Sequence, residues 1–172
     1  KGDNKDNIEI VNKNGVLKIR LKIEKSFDGK TTNVKLFYNS IDSIDANEGA
    51  IITSNDTIKQ YEIELKTQEG GMIKTHINTK EIIMKAVTGG IIDVSGSTQH
   101  QNTVISTGGV VKAADLKSKN TEIIITTGGE AYVNTSESLD IKIRAGGDVF
   151  IYGKPIKITK NKMLGGRIKY MD

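Results

Sequence analysis

Acidic side chains are the residues of this chain that could cleave a polysaccharide. Such chemistry needs two converging carboxylates, or an acidic calcium site beside a basic residue. Asp93 lies between Lys74 and Lys112 in equivalent positions of a repeated segment, whereas Asp115 and Asp140 fall in other positions. The pattern therefore favours a ladder of surface charges over a catalytic pair, and we predict that the chain is not an enzyme.

Histidines are the remaining candidates for a metal centre, because the chain contains no cysteine. His76 and His100 occupy different positions of the repeat, and no third ligand accompanies them. They are typical of surface loop residues. The sequence predicts neither a metal site nor a cofactor.

Aromatic side chains are the best candidates for a binding surface. Tyr132 and Phe150 occupy the same position in successive repeats, and Tyr152 follows closely. Exposed rings on a flat β-face can stack on sugars or anchor a protein partner. The alternative is that these rings pack against each other or beneath a C-terminal cap. Three other tyrosines are predicted to be packing residues near the coil edges: Tyr38, Tyr61 and Tyr170.

A repeated Gly-Gly phrase is the element that must position all these residues. The phrase Thr-Gly-Gly begins at Thr88, Thr107 and Thr127, and related copies occur elsewhere. The second glycines predict structural turns at steps of 19, 19, 20, 18 and 19 residues: Gly71, Gly90, Gly109, Gly129, Gly147 and Gly166. A step this regular indicates stacked turns of chain. Glycine suits each corner because it tolerates positive φ and close backbone approach.

Apolar residues recur at fixed distances from each corner, both before and after it. The second and fourth residues after the second glycine are apolar or Thr, from Ile73 and Thr75 to Ile168 and Tyr170. The sixth and fourth residues before it are also apolar or Thr, from Leu65 and Thr67 to Ile141 and Ile143. These positions are predicted to point inward. The third residue points outward and forms a column: Lys74, Asp93, Lys112, Tyr132, Phe150 and Lys169. Such in-register ladders favour parallel pairing by about 0.2–1 kcal/mol per neighbour pair.

We predict an all-β fold, a right-handed single-stranded parallel β-helix (β-solenoid) with coils of about 19 residues. The polar stretches between the coil strands, such as 95–102 and 114–120, vary in length and absorb the uneven steps. The prediction is one domain over 1–172: 1–7 frayed, 8–40 N-terminal strands, 41–152 repeated coils, and 153–172 a last coil and cap.

The N-terminal part is predicted to contain strands joined by turns. Ile8, Ile10 and Val16–Ile23 alternate with polar residues, and Asn14–Gly15 is a turn signal. A second turn is predicted at Phe27–Lys30 and a further strand at Val34–Tyr38.

Charge and hydropathy exclude several classes of partner. The net charge is +4 from 25 basic and 21 acidic residues, and the lysines are scattered instead of gathered on one face. Nucleic-acid binding is therefore not expected. No apolar run approaches the length of a membrane-spanning helix. The first residues, 1–7, are polar and do not resemble a signal peptide, as expected of a processed or truncated chain.

Several segments together resemble the head GIN domain family of autotransporter-type adhesins, found largely in exported proteins of Bacteroidetes-type bacteria. They are the strand Gly15–Ile19, the segment Ile41–Ala50, the glycine corners, and Asp148–Pro155 with its Tyr-Gly-Lys-Pro element. The resemblance covers about residues 8–170. This chain has Thr-Gly-Gly where the family commonly has Ser-Gly-Ala.

The resemblance implies a right-handed β-helix, export, and an adhesive or envelope role at the cell surface, in the periplasm or at the outer membrane. It assigns no catalytic residues. The hypothesis is a non-catalytic adhesin that presents its surface to a glycan or a protein, with Tyr132, Phe150, Tyr152, Lys74, Asp93 and Lys112 as binding residues. Two alternatives stay open: a protein that binds or cleaves polysaccharide, and a scaffold that assembles through its coil ends.

Overall fold

The computed structural model describes residues 7–22 and 32–171. These residues belong to two compact units, residues 1–39 and residues 40–172. The predicted turn at Phe27–Lys30 and nearly all of the predicted frayed segment 1–7 lie outside the described residues. The assignment of the whole chain to one domain stays a prediction.

An antiparallel hairpin contains the two strands that the structure describes in the first unit. Strands β1 (Ile8–Lys13) and β2 (Val16–Leu21) pair from Ile8↔Leu21 to Lys13↔Val16. Asn14 and Gly15 between them have φ values of 53° and 79°. Two successive positive φ angles are the signature of a type I′ turn, whose twist matches that of the paired strands. The predicted strands and turn are confirmed here.

The predicted strand at Val34–Tyr38 is wrong. The structure assigns no strand to these residues, and their side chains are exposed. Alternation of apolar and polar residues specifies a strand only where a neighbouring strand and a buried face are available. None of the described residues pairs with this segment as a strand.

A parallel β-solenoid makes up the second unit. Its strands are β3 (Ser43–Ala46), β4 (Ile51–Thr53), β5 (Ile58–Lys59), β6 (Glu62–Thr67), β7 (Met72–Asn78), β8 (Glu81–Val87), β9 (Ile91–Ser106), β10 (Val110–Thr127), β11 (Glu130–Ala145), β12 (Asp148–Tyr152), β13 (Lys157–Leu164) and β14 (Arg167–Tyr170). All their pairings are parallel, and each strand lies on the equivalent strand of the preceding coil.

The register of the coils follows the glycine spacing. The residues directly after the corners form one continuous column of seven: Ile51, Met72, Ile91, Val110, Glu130, Asp148 and Arg167. The predicted β-solenoid with coils of about 19 residues is therefore confirmed. Its right hand stays a prediction from the crossover rule.

The polar stretches between the corners are also strand, which the sequence did not predict. Residues 95–102 lie within β9 and residues 114–120 lie within β10. Their backbone groups pair with the neighbouring coils, so a polar composition did not prevent strand formation. The uneven steps are absorbed as predicted in this part of the coil, by register shifts at Lys112/Leu116, Ala113/Lys117 and Ser118/Asn120.

The solenoid interior is a stack of thin aliphatic layers. Both predicted inward registers are buried in the central coils, as Leu65, Met84, Ile123, Val111 and Val149 illustrate. Each fully buried residue of this size contributes about 1.5–3 kcal/mol through removal of apolar area from water. Tyr170 pairs in register with the buried Ile151, which is an inward position. It is nevertheless 58% exposed, because no further coil among those described covers it.

Part of the interior is polar and internally hydrogen-bonded. The hydroxyls of Ser118, Thr121 and Thr135 lie 2.5–3.2 Å from one another on adjacent coils. All three residues are buried. A buried hydroxyl is tolerated when it finds such a partner, because the hydrogen bond offsets the loss of hydration.

The glycine corners are of two kinds. At Gly109, φ is not positive, but a Cβ atom would lie 2.1 Å from the carbonyl oxygen of Ala86 on the coil below. The turn itself is made by Thr107 and Gly108, with φ values of 51° and 74°. At Gly147, φ is 115° and a Cβ would lie 2.7 Å from Ile125 Cγ2. In both kinds of corner, the absence of a Cβ atom on the second glycine allows the neighbouring coil to approach closely.

Thr107→Asn is expected to stabilise the fold by about 0.5–1 kcal/mol, because a β-branched residue is strained at positive φ and Asn adopts that region more readily. Urea unfolding measures the change as a shift in midpoint. Thr127→Asn is the matched control. Thr127 begins the same Thr-Gly-Gly phrase without a positive φ, so this substitution should give no stabilisation. Equal midpoints for the two variants would contradict the strain argument.

The last coil departs from the apolar inward pattern. Strand β13 pairs with β11 so that Lys160 and Lys162 fall on Ile141 and Ile143, the inward positions of the coil below. Both lysines are exposed. Lys160 Nζ donates to the Tyr170 hydroxyl at 3.0 Å, and Lys162 Nζ donates to the Gly166 carbonyl oxygen at 3.0 Å. Charged side chains thus occupy the mouth of the last described coil.

Candidate functional site

The predicted outward column is one continuous row of side chains, here called the outer ladder. Its members pair in register across six coils: Lys74, Asp93, Lys112, Tyr132, Phe150 and Lys169. At its start, Lys74 Nζ lies 3.6 Å from Asp93 Oδ2, and both side chains are largely solvated. An exposed pair of this kind contributes little to stability. The structure therefore brings five of the six predicted binding residues into one row.

The two rings of the outer ladder stack on each other. The ring centroids of Tyr132 and Phe150 are 4.5 Å apart, with planes 11° from parallel. Lys169 Nζ lies 5.6 Å from the Phe150 centroid, over the ring. Because the rings stack along the direction in which coils are added, their facing sides cover each other, and Lys169 lies over Phe150. The predicted mutual packing is present, although both rings stay partly exposed.

Glu130 and Tyr152 flank the stacked rings. The Tyr132 hydroxyl donates to Glu130 Oε2 at 2.8 Å. This hydrogen bond raises the pKa of the phenol above its ordinary value of 10.0, with a further contribution from burial. The hydroxyl is therefore a fixed, neutral donor at physiological pH. Tyr152 lies in the next outward column, beside Asn134, and is half-buried. It completes an aromatic end of the ladder.

Carboxylates on the outer face before the corner are held by lysines. Glu64 accepts from Lys66 at 2.6 Å and has Lys85 at 3.6 Å. The hydrogen bond from Lys66 lowers the Glu64 pKa, against a smaller opposing effect of burial. Lys142 lies 2.7 Å from Glu122 and 3.4 Å from Asp140, and the bond to Glu122 raises the Lys142 pKa. A carboxylate with a lowered pKa stays ionised, which is the wrong state for a general acid.

Asp148 and Arg167 form a bidentate pair on the outer face after the corner. Arg167 Nε donates to Asp148 Oδ1 at 2.9 Å, and Nη2 donates to Oδ2. The hydrogen bond from Arg167 lowers the Asp148 pKa below its ordinary value of 3.8. The pair joins the last two coils next to the aromatic end of the ladder.

Asp148→Asn is expected to reduce stability at pH 7 and to lose that deficit in acid. Because the folded pKa is depressed, the pair stabilises the native state above pH 3.8 and stops doing so as pH falls through the lowered value. The effect is small because Arg167 is solvated. Urea midpoints at pH 7 and pH 3 measure it. Asp93→Asn, which affects a longer and more exposed pair, should show a smaller deficit at pH 7. A deficit for Asp148→Asn that is independent of pH would contradict the assignment.

An open groove of about 600 Å³, here called the corner groove, lies where β7 ends and β8 begins, and along the neighbouring coils at the equivalent residues. Its wall and rim include Tyr61, Asn78, Lys80, Ser97, Gln99 and Lys119. Tyr61 is 61% exposed, and Lys80 Nζ lies 5.2 Å from its ring centroid. Lys119 Nζ lies 3.4 Å from Glu137 Oε1. This is a polar depression with one exposed ring.

Sequence reasoning missed the corner groove. Tyr61 was predicted to be a packing residue, as were Tyr38 and Tyr170, and all three are exposed. A signal was present, because Tyr61, Lys80 and Gln99 are separated by the same 19-residue step as the glycines. The step marks equivalent positions on three coils. The step does not distinguish a corner from a flat strand at those positions.

Histidines and acids do not converge in the part of the chain that the structure describes. No group of three His, Asp or Glu side chains there could hold a metal ion. His76 Nδ1 lies 2.9 Å from Ser95 Oγ on the face after the corner. His100 pairs in register with Glu81 on the face before it. The two histidines therefore lie on different faces of the solenoid.

Comparison of the sequence with known families gives one match. The family described as "Putative auto-transporter adhesin, head GIN domain" matches residues 1–155. A search of curated proteins finds no match to this sequence. Among the described residues there is no helix long and apolar enough to cross a membrane.

Two solved structures share the fold. One is a putative adhesin from Bacteroides fragilis NCTC 9343, with a TM-score of 0.79 and 16% identity, matched over 96% of this chain and 77% of that chain. The other is a putative lipid binding protein from Parabacteroides distasonis ATCC 8503, with a TM-score of 0.71 and 20% identity, matched over 97% of this chain and 80% of that chain. At these identities the likeness extends to the fold alone.

Proposed function

The chain belongs to the family described as "Putative auto-transporter adhesin, head GIN domain", and on that premise we propose that it is an exported, non-catalytic adhesin that binds a protein partner through its outer ladder. The family supports a location at the cell surface, in the periplasm or at the outer membrane. The observation that carries the proposal is the stack of Tyr132 on Phe150, an aromatic end set on a rigid outer face.

The orientation of the rings favours a protein partner over a sugar. A sugar ring stacks on an open aromatic face, but the faces of Tyr132 and Phe150 cover each other and Lys169 lies over Phe150. The exposed parts of these rings, with Tyr152 beside them, can contact apolar and polar side chains of another protein. Alternating charges at the other end of the ladder would set the orientation of that partner.

The absence of catalysis is supported by the state of the carboxylates. Glu64 and Asp148 have lowered pKa values because lysine or arginine donates to them. Glu122 and Asp140 share Lys142. These acids are engaged in ion pairs with neighbouring cations on the same or the adjacent coil. A reducing-sugar assay on a panel of acidic and neutral polysaccharides tests the point, and release of new reducing ends would overturn it.

Phe150→Ala is expected to weaken adhesion by about tenfold or more, because a central aromatic anchor carries much of the binding free energy of an interface. Beads coated with the chain would be counted on epithelial cell layers under flow. Protease treatment of the cells should abolish the difference in retention between the native chain and Phe150→Ala, whereas glycosidase treatment should leave that difference. Tyr152→Ala should act in the same direction.

Lys85→Ala is the matched control, since Lys85 is exposed on the other face and lies outside the ladder. Urea midpoints would establish that each variant is folded. A difference in retention between the native chain and Phe150→Ala that survives protease treatment, or the absence of any such difference on untreated cells, would contradict the proposal.

A further inference from the structure

We propose that the corner groove is a second binding site, separate from the outer ladder, and that it binds a carboxylated sugar. The groove joins one exposed aromatic ring, two lysines and a set of amide and hydroxyl groups. Its volume of about 600 Å³ is in the range of sites for small ligands. The ladder does not contribute to it, so the two sites can be tested independently.

The floor of the groove is rigid. Thr79 and Thr98 are buried beneath it, and Thr79 Oγ1 donates to Thr98 Oγ1 at 3.3 Å. Thr98 Oγ1 also lies 3.1 Å from the Lys80 carbonyl oxygen, which accepts from the backbone amides of Gln99 and His100 at 3.1 and 2.9 Å. The Lys80 amide donates to the Tyr61 carbonyl oxygen at 2.8 Å. A backbone fixed in this way limits the ordering cost of binding.

Tyr61 and Lys80 together select for the ligand. The Lys80 ammonium lies over the ring of Tyr61 and has no carboxylate within 4.0 Å among the described residues. The Tyr61 residue is nevertheless 61% exposed and does not stack on a second ring, so the part of the ring that Lys80 leaves uncovered can contact the C–H groups of a sugar. A cation without an acidic partner beside an exposed ring fits a ligand that has both an apolar face and a negative charge.

Polar groups on the rim suit sugar hydroxyls. Ser97 Oγ donates to Asn78 Oδ1 at 3.4 Å, which leaves the Asn78 amide nitrogen as a donor and the Ser97 oxygen as an acceptor. The exposed Gln99 amide offers both functions. Lys119 has Glu137 at 3.4 Å, so Lys80 is the lysine of the described lining without an acidic partner. One unpaired cation suits a ligand with one carboxylate on the bound sugar, such as a uronate or a sialate.

Calorimetric titration with the methyl glycoside of galacturonate, which carries one carboxylate, and with its methyl ester tests the proposal, because the ester keeps the shape and removes the charge. The native chain should bind the acid about tenfold more tightly than the ester, as expected for one charge-assisted hydrogen bond. Lys80→Gln should bind the two equally. Tyr61→Ala should weaken both by about tenfold. A sialylated trisaccharide and its methyl ester form a second pair.

Controls separate this site from folding and from adhesion. Tyr61→Phe should keep the native affinities, and Lys85→Gln, outside the groove, should change nothing. Phe150→Ala should bind the sugar with native affinity, because Phe150 does not line the groove. The outcome of the adhesion experiment on this variant is therefore independent of the groove proposal. Equal binding of acid and ester by the native chain, no saturable binding of either pair, or unchanged binding by Tyr61→Ala would each overturn the proposal.

Discussion

Gly109→Ala is expected to lower the free energy of unfolding by at least about 3 kcal/mol. A Cβ atom at this position would lie 2.1 Å from the Ala86 carbonyl oxygen and 3.1 Å from Ala86 Cβ. The obstacle is backbone of the coil below, which cannot rotate away as a side chain could. The coils would have to separate locally, with loss of packing and of pairing on both sides of the corner.

Gly108→Ala is the matched control for this prediction. The space around Gly108 is open, so its substitution meets only the backbone strain of a φ of 74°, which costs about 1–2 kcal/mol. Urea unfolding followed by circular dichroism gives both values. If Gly109→Ala proves no less stable than Gly108→Ala, close approach of the coils is not the reason for the second glycine.

Lys160→Ile combined with Lys162→Ile is expected to make the chain self-associate. These lysines occupy inward positions above Ile141 and Ile143, where stacking of another copy would bury their charges. Inward-pointing charges are a known protection of exposed sheet edges. Isoleucine would continue the apolar interior to the open end and remove that cost. We therefore expect that the described chain does not stack on a second copy through this coil.

Sedimentation velocity over a concentration series measures this effect. The native chain should keep a constant mass, and the double variant should grow with concentration. Lys157→Ile with Asn161→Ile adds the same residues at outward positions of β13 and is the control for hydrophobicity alone. If the mass of the native chain increases with concentration, assembly through the coil ends is supported. If the mass of the double variant stays constant, features other than these two lysines prevent association.

The repeat made the register of the solenoid predictable from sequence. Gly71, Gly90 and Gly109 mark equivalent points on successive coils. Counting from them therefore predicts, from the sequence alone, which residues point inward and which point outward. The outer ladder follows from the same count, and its pairs from Lys74↔Asp93 to Phe150↔Lys169 are confirmed. Local spacing is sufficient here because each coil contacts only its neighbours.

Residues away from the glycine corners were less predictable. The polar stretches within β9 and β10 looked like loops because hydroxyl and amide residues are uncommon inside. Buried Thr98 and Ser118 find partners on adjacent coils, and only the stacking of those coils supplies them. Burial of a polar side chain depends on a partner that is distant in the sequence.

The sequence by itself therefore determined the coil length, the corners, the two inward registers and the order of residues in each outward column. The tertiary structure alone decided how those columns meet. It stacked the ring of Tyr132 on that of Phe150, exposed Tyr61 beside Lys80, and left Lys160 and Lys162 at the mouth of the last described coil. The physical reason is that a repeat fixes which residues lie above one another, whereas exposure depends on the bend between faces and on whether a further coil covers them.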